Sequence, residues 1–116
     1  MRQVNRARRK KLRAEQFGTD GKRGWILSKR CIVSGRADSD PAHVLESRGA
    51  GGGAEGMAPL NREVHVDFDN LGQDRFLEKW GVSKEDVREH ARQLELEWQE
   101  KSDDYKRAFL PPDLDY

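Results

Sequence analysis

Between residues 31 and 72 the chain holds its single cysteine, Cys31, two of its three histidines, His43 and His65, most of its glycines, and the aspartates Asp38, Asp40, Asp67 and Asp69. These residue types bind metal and move protons, and the segment is too short and too polar for core packing alone to account for them. The expectation is a small metal-dependent site. His65 and Asp69 stand four apart. On a helix that spacing puts both on one face, where they can share a cation; on a strand they fall on the same side but lie farther apart. The pattern supports both forms. Asn61 suits the N-cap of a helix running to about Asn70, whereas Val64, Val66 and Phe68 alternate with His65 and Asp67 as in a half-buried strand.

Several elements must position these residues. Residues 2–17 contain no proline or glycine and are rich in helix formers, with Gly18 as a stop. Their apolar stripe is ragged, so the helix offers mostly positive charge, either as a solvated tail or as an arm that orders on a phosphate backbone. Trp25-Ile26-Leu27 is an apolar anchor, as a strand edge or a helical turn. Cys31-Ile32-Val33 reads as a strand closed by Ser34-Gly35, residues 38–41 as a turn, and residues 42–45 as a second short strand. Residues 48–53 form a loop with almost no side chains, which lets backbone or ligand approach closely. Gln73 to Trp80 is a short helix stopped by Gly81, and Ser83 with Asp86 opens a longer one. In that longer helix Val87, Ala91, Leu94 and Trp98 form one apolar face, as core or partner surface, with His90 beside it at the surface. Residues 109–116 are an acidic, proline-broken tail expected to be disordered or to dock in trans.

A chain of 116 residues with 34% hydrophobic and 37% charged residues is at most one domain with a modest core. Residues 1–36 carry twelve Lys and Arg against two acids, a local charge of +10, which leaves −9 for the remainder of a chain whose net charge is +1. A basic front half points to a polyanion. One cysteine excludes an internal disulfide and fits a reducing compartment. No apolar run approaches spanning length and no signal peptide opens the chain, so a cytoplasmic location with no membrane partner is expected.

The central segment resembles the small phage-type HNH endonucleases. The resemblance rests on Cys31, Asp40-Pro41-Ala42-His43, Ser47-Arg48-Gly49-Ala50-Gly51-Gly52, Pro59-Leu60, His65, Leu71-Gly72 and Phe76, with Glu15-Gln16-Phe17-Gly18 and Trp25 in a similar basic lead-in; it covers roughly residues 4–80. It implies an α+β fold built on a ββα-metal finger, in which a hairpin carries the general-base histidine and a helix carries metal ligands. Added to this are a basic N-terminal helix and further C-terminal helices. The expected divisions are 1–24 for the basic arm, 25–82 for the finger core and 83–116 for the C-terminal helix and acidic tail.

Carried onto this chain, the resemblance makes His43 the base and Asp40, His65 and Asp69 the holders of one divalent cation, Mg²⁺ or Mn²⁺; Arg48, which starts the glycine-rich loop beside that base, either touches the scissile phosphate or only solvates the loop. From their charge, Arg6, Arg8, Arg9, Lys10, Lys11 and Arg13 would track the DNA backbone if the basic segment is an arm and not a solvated tail. The chemistry suits the residue types: phosphodiester hydrolysis needs a deprotonated water and a cation to neutralise charge. The pattern is departed from at several positions. The zinc knuckles of many relatives read here Cys31-x-x-Ser34 and Asn61-x-x-Val64, so no structural zinc is expected and apolar packing at Val64 replaces it. Ala42 occupies a frequent ligand position, for which Asp40 is the nearest substitute, and Gly56 aligns with the asparagine that gives the family its middle letter. Two readings follow: a metal-dependent DNA endonuclease, or a degenerate finger that binds DNA or a protein partner without cutting. The protein partner would meet the C-terminal helix or the tail.

Overall fold

Two prolines, Pro41 and Pro59, face each other across a two-stranded antiparallel sheet of β1 (Ser39–His43) and β2 (Met57–Asn61). Proline has no N–H to donate, so the pair must fall where the ladder makes no hydrogen bond. The register does this: Val44 N donates to Gly56 O at 3.0 Å, which sets the alternate pairs, 42 with 58 and 40 with 60, as the bonded ones. The outward carbonyl of Pro59 then accepts from Ile32 N at 3.1 Å. The computed structural model describes residues 21–45 and 56–110. The expected basic helix at 2–17, the glycine-rich loop with Arg48, the phosphate-tracking residues Arg6, Arg8, Arg9, Lys10, Lys11 and Arg13, and residues 111–116 lie outside them.

The chain is α+β. Helix α1 (Lys22–Leu27) precedes the sheet, and α2 (Arg62–Asn70), α3 (Gln73–Trp80), α4 (Lys84–Gln99) and α5 (Asp103–Arg107) follow it. All five residues of β2 are buried because the sheet is covered on both sides. Ala42, Ala58 and Leu60 join Val64, Phe68, Phe76, Val87 and Ala91 in one core, while Met57 joins Trp25, Ile26, Leu94 and Trp98 in a second. Lys22, almost wholly buried, is ion-paired with Glu95 and ties α1 to α4.

Two of the expected elements differ. Residues 31–33 are a turn and not a strand: Cys31 N donates to Arg36 O at 2.8 Å and Gly35 N to Cys31 O at 2.9 Å, folding the chain back on itself. Gly35, at φ +79°, provides the left-handed residue this needs. The strand expected at 42–45 begins earlier, at Ser39, and ends at His43, absorbing the expected turn at 38–41; an edge strand accepts Pro41 where a central one would not. The ambiguity over 61–70 resolves as a helix. Val64 and Phe68, four apart, are buried, and Val66 between them is 45% exposed, so the 3.6-residue period decides.

The later elements form as the sequence indicates. Gly81 ends α3 in a left-handed conformation, and Ser83 and Asp86 make a reciprocal capping box at α4. Val87, Ala91, Leu94 and Trp98 are the buried face of α4, and His90 is exposed. Phe109 docks within the molecule, its ring 6.2 Å from that of Trp98. Gly24 makes room for it, since a Cβ there would collide with the Phe109 carbonyl. Among the described residues no helix is long and apolar enough to cross a membrane.

Candidate active site

Because α2 starts directly where β2 ends, its first turns fold back over the start of β1, and Asp40 comes to lie against them. His65 Nδ1 is 3.1 Å from Asp40 Oδ2, and Arg62 Nε forms an ion pair with the same oxygen at 3.2 Å. One turn along α2, Asp69 Oδ2 stands 3.6 Å from His65 Nε2, an ion-pair distance too long for a hydrogen bond. His65 and Asp40 are each about one-quarter exposed, so the imidazole is held yet reachable. Three of the expected site residues, Asp40, His65 and Asp69, are thus brought together around one ring. Comparison with known proteins gives no match: no family model, no curated protein and no solved structure matches this chain.

His43 is not part of that group. It closes β1, opposite Met57, three residues beyond Asp40. At a strand rise of about 3.3 Å per residue its backbone is about 10 Å farther along, and the odd spacing sends its Cβ to the other side of the pleat. Among the described residues no three of His, Cys, Asp and Glu stand so as to hold an ion together.

Pairwise geometry is more favourable. Two ligands each about 2.1 Å from an ion lie about 3.0 Å apart at a right angle and about 3.4 Å apart at a tetrahedral one. The 3.6 Å between His65 Nε2 and Asp69 Oδ2 is close to that span. With its proton on Nδ1 and donated to Asp40, the ring presents the Nε2 lone pair towards Asp69, the arrangement in which a carboxylate orients a metal-binding imidazole.

The frame around the site contains residues that carry no chemical signature in the sequence. Arg88 of α4 donates from Nε to Val44 O at 3.1 Å, and its guanidinium lies 5.4 Å from the centre of the Phe68 ring. One side chain therefore braces the strand end beside His43 and the helix that carries His65. At the opposite corner Ser34 Oγ donates to Asn61 Oδ1 at 2.7 Å, and Ser34 N to Cys31 Sγ at 3.3 Å. Asn61, at the N-cap position, makes no side-chain bond to the helix and spends its amide on this cross-link. The corner is thus held by a polar bond as well as by the buried Val64 that the sequence indicated. Burial alone would push the Cys31 thiol up, but hydrogen bonds from Ser34, Asn61 and Val33 outweigh it and hold the thiol below its usual value.

Asp67 fixes α2 against α3, accepting from Lys79 Nζ at 2.7 Å and Trp80 Nε1 at 3.0 Å. The Lys79 ammonium, with a smaller contribution from Trp80, holds the Asp67 carboxyl below the usual carboxylate range, and Lys79 is raised in return. A depressed carboxylate stabilises the fold above its unfolded pKa of about 3.9 and loses that contribution as pH falls through the folded value. Asp67→Asn is therefore expected to lower the Tm at pH 7 and to make progressively less difference below about pH 4. Thermal melts of both proteins across that range measure it; a Tm difference that persists undiminished in acid would contradict the role given to the charge.

Proposed function

We propose that this chain is a metal-dependent DNA endonuclease of the ββα-metal (HNH-like) type. The observation that carries the reading is the held imidazole of His65, fixed through Nδ1 by Asp40 with Nε2 turned towards Asp69. A hairpin running straight into the helix that bears this histidine supports it, since ββα is the order the resemblance implies. In this reading His65 and Asp69 hold one Mg²⁺ or Mn²⁺ and Asp40 orients the ring, so Asp40 acts through His65 and not as a ligand. Two protein ligands suit such a cation, which commonly keeps waters and takes the substrate phosphate as a further ligand. The cation would supply charge neutralisation at the phosphate and its leaving oxygen.

His43 takes the proton of the attacking water. This role comes from the resemblance; because the His43 Cβ leaves β1 on the other side of the pleat from Asp40, the ring must reach around the strand edge to meet a phosphodiester beside His65. Arg48 and the basic arm, Arg6, Arg8, Arg9, Lys10, Lys11 and Arg13, would contact phosphates and position the duplex without reading its bases.

Two observations favour a second reading, a finger that binds DNA or a protein without cutting. His43 stands apart from the other three residues, and no three potential ligands converge among the described residues. Manganese binding separates the readings at the site itself. Mn²⁺ titrated into the purified chain, followed by electron paramagnetic resonance, is expected to show one bound ion that is lost in His65→Ala and weakened 10- to 100-fold in Asp40→Asn, the usual effect of removing an orienting partner. Mn²⁺ binding unchanged in His65→Ala would remove the metal site from α2.

A further inference from the structure

We infer that the open groove between the turn at 31–36 and the first turns of α2 carries a nucleic-acid phosphate backbone past the candidate site, with Arg62 and Arg36 gripping phosphates. The inference rests on the endonuclease reading and adds where its substrate lies. The groove encloses about 380 Å³, and both arginines line it.

Arg62 carries the argument. Its Nε is ion-paired with Asp40 Oδ2 at 3.2 Å, the oxygen that also lies against His65. The guanidinium is thereby placed one atom away from the imidazole of the site. Its side chain is 76% exposed, and Asp40 is its ion-pair partner among the described residues. The two Nη groups remain for a ligand, and a guanidinium fork fits a phosphate by two parallel hydrogen bonds. A phosphodiester approaching His65 meets two carboxylates, Asp40 and Asp69, that repel it. Arg62, lying against one of them, supplies the opposing charge at that point.

Arg36 stands across the groove and is paired with Asp38 at 3.5 Å, both side chains about two-thirds exposed. Ion pairs this open contribute little, so a phosphate replaces Asp38 at small cost. The remaining carboxylates of the groove, Asp67 and Glu63, share one cation, lying 2.7 and 3.7 Å from Lys79 Nζ. The incoming backbone therefore meets two arginine forks in a groove where Arg36, Arg62 and Lys79 stand against the four carboxylates Asp38, Asp40, Glu63 and Asp67, so binding rests on the fork geometry and not on a net positive charge. Val66, 45% exposed on the same wall, gives a sugar an apolar surface to lie on.

The test is the salt dependence of binding by the full chain to a short fluorescent DNA duplex, in chelator so that nothing is cut. Each lost phosphate contact lowers the slope of log affinity against log salt by about 0.9. Arg62→Ala and Arg36→Ala are each expected to show that decrease, the double variant about twice it, and Arg92→Ala, on the outer face of α4, none. Arg62→Lys keeps the charge but not the fork; it should restore the slope while plasmid nicking in Mg²⁺ stays slower than in the unaltered chain. Slopes for Arg62→Ala and Arg36→Ala equal to that of the unaltered chain overturn the groove, and if that chain nicks plasmid the endonuclease reading survives. Reduced slopes in a chain that never nicks uphold the groove as a binding surface and overturn the endonuclease reading. A chain that does not bind the duplex at all overturns both.

Discussion

Replacing His43 by alanine is expected to slow metal-dependent nicking of supercoiled plasmid by 10²- to 10⁴-fold, the usual contribution of a positioned general base. Histidine is the side chain whose ordinary pKa leaves it free to accept a proton at neutral pH. His65 cannot substitute, because its Nδ1 is committed to Asp40 and its Nε2 faces Asp69. His90 is on the exposed face of α4, away from the sheet, so His90→Ala should nick as fast as the unaltered chain. The loss in His43→Ala should come without loss of Mn²⁺, since His43 lies beyond the group that surrounds His65. A His43→Ala chain that nicks at the unaltered rate would remove the base from β1.

Phe76→Ala should be the most damaging of the simple truncations near the site, costing about 3–5 kcal/mol, as large-to-small changes of a buried aromatic do. Phe76 is fully buried and meets Phe68 edge-to-face at 5.6 Å, so it joins α3 to the buried side of α2. Phe68 in turn lies under Arg88, which braces Val44. A domain of this size has about 5–10 kcal/mol of stability to lose, so much of the margin goes with one side chain. Chemical denaturation followed by tryptophan fluorescence gives the value, and a loss under about 1 kcal/mol would mean that the two-helix contact is not what holds α2 in place.

The sequence was most legible where local rules act alone. Ser83 and Asp86 announce the start of α4, Gly81 the end of α3, and the spacing of Val87, Ala91, Leu94 and Trp98 the buried face, because each of these depends on residues within two turns. It was least legible where the partner is distant. Residues 31–33 have the apolar, β-branched look of a strand, yet Met57–Asn61 pairs with β1 instead and leaves Cys31 in a turn. Pro41 reads as a turn residue, and only the register, which puts it at a pair without ladder hydrogen bonds, makes a strand position tolerable. At the site, the four-residue spacing of His65 and Asp69 pointed to a shared face, and the helix provides it. Asp40 lies against His65, but its contact with Nδ1, the ion pair with Arg62 and the brace from Arg88 depend on where α2 and α4 cross the sheet. Spacing along the chain carries none of that information. Ser34 and Asn61 drew notice only as positions where thiols were missing, and their mutual hydrogen bond became visible once the turn met the corner between β2 and α2.

Under the proposed function this chain cuts DNA with a cation held at His65 and Asp69. Supercoiled plasmid incubated with the purified full chain and Mg²⁺ or Mn²⁺, with and without chelator, tests it most directly. Nicked circles are expected to accumulate only when the metal is present, to stop forming when chelator is added, and to disappear in His65→Ala as well as His43→Ala. Plasmid that stays supercoiled with either metal, while the chain still retards it on a gel, would contradict the proposed cleavage and leave a protein that binds DNA without cutting it.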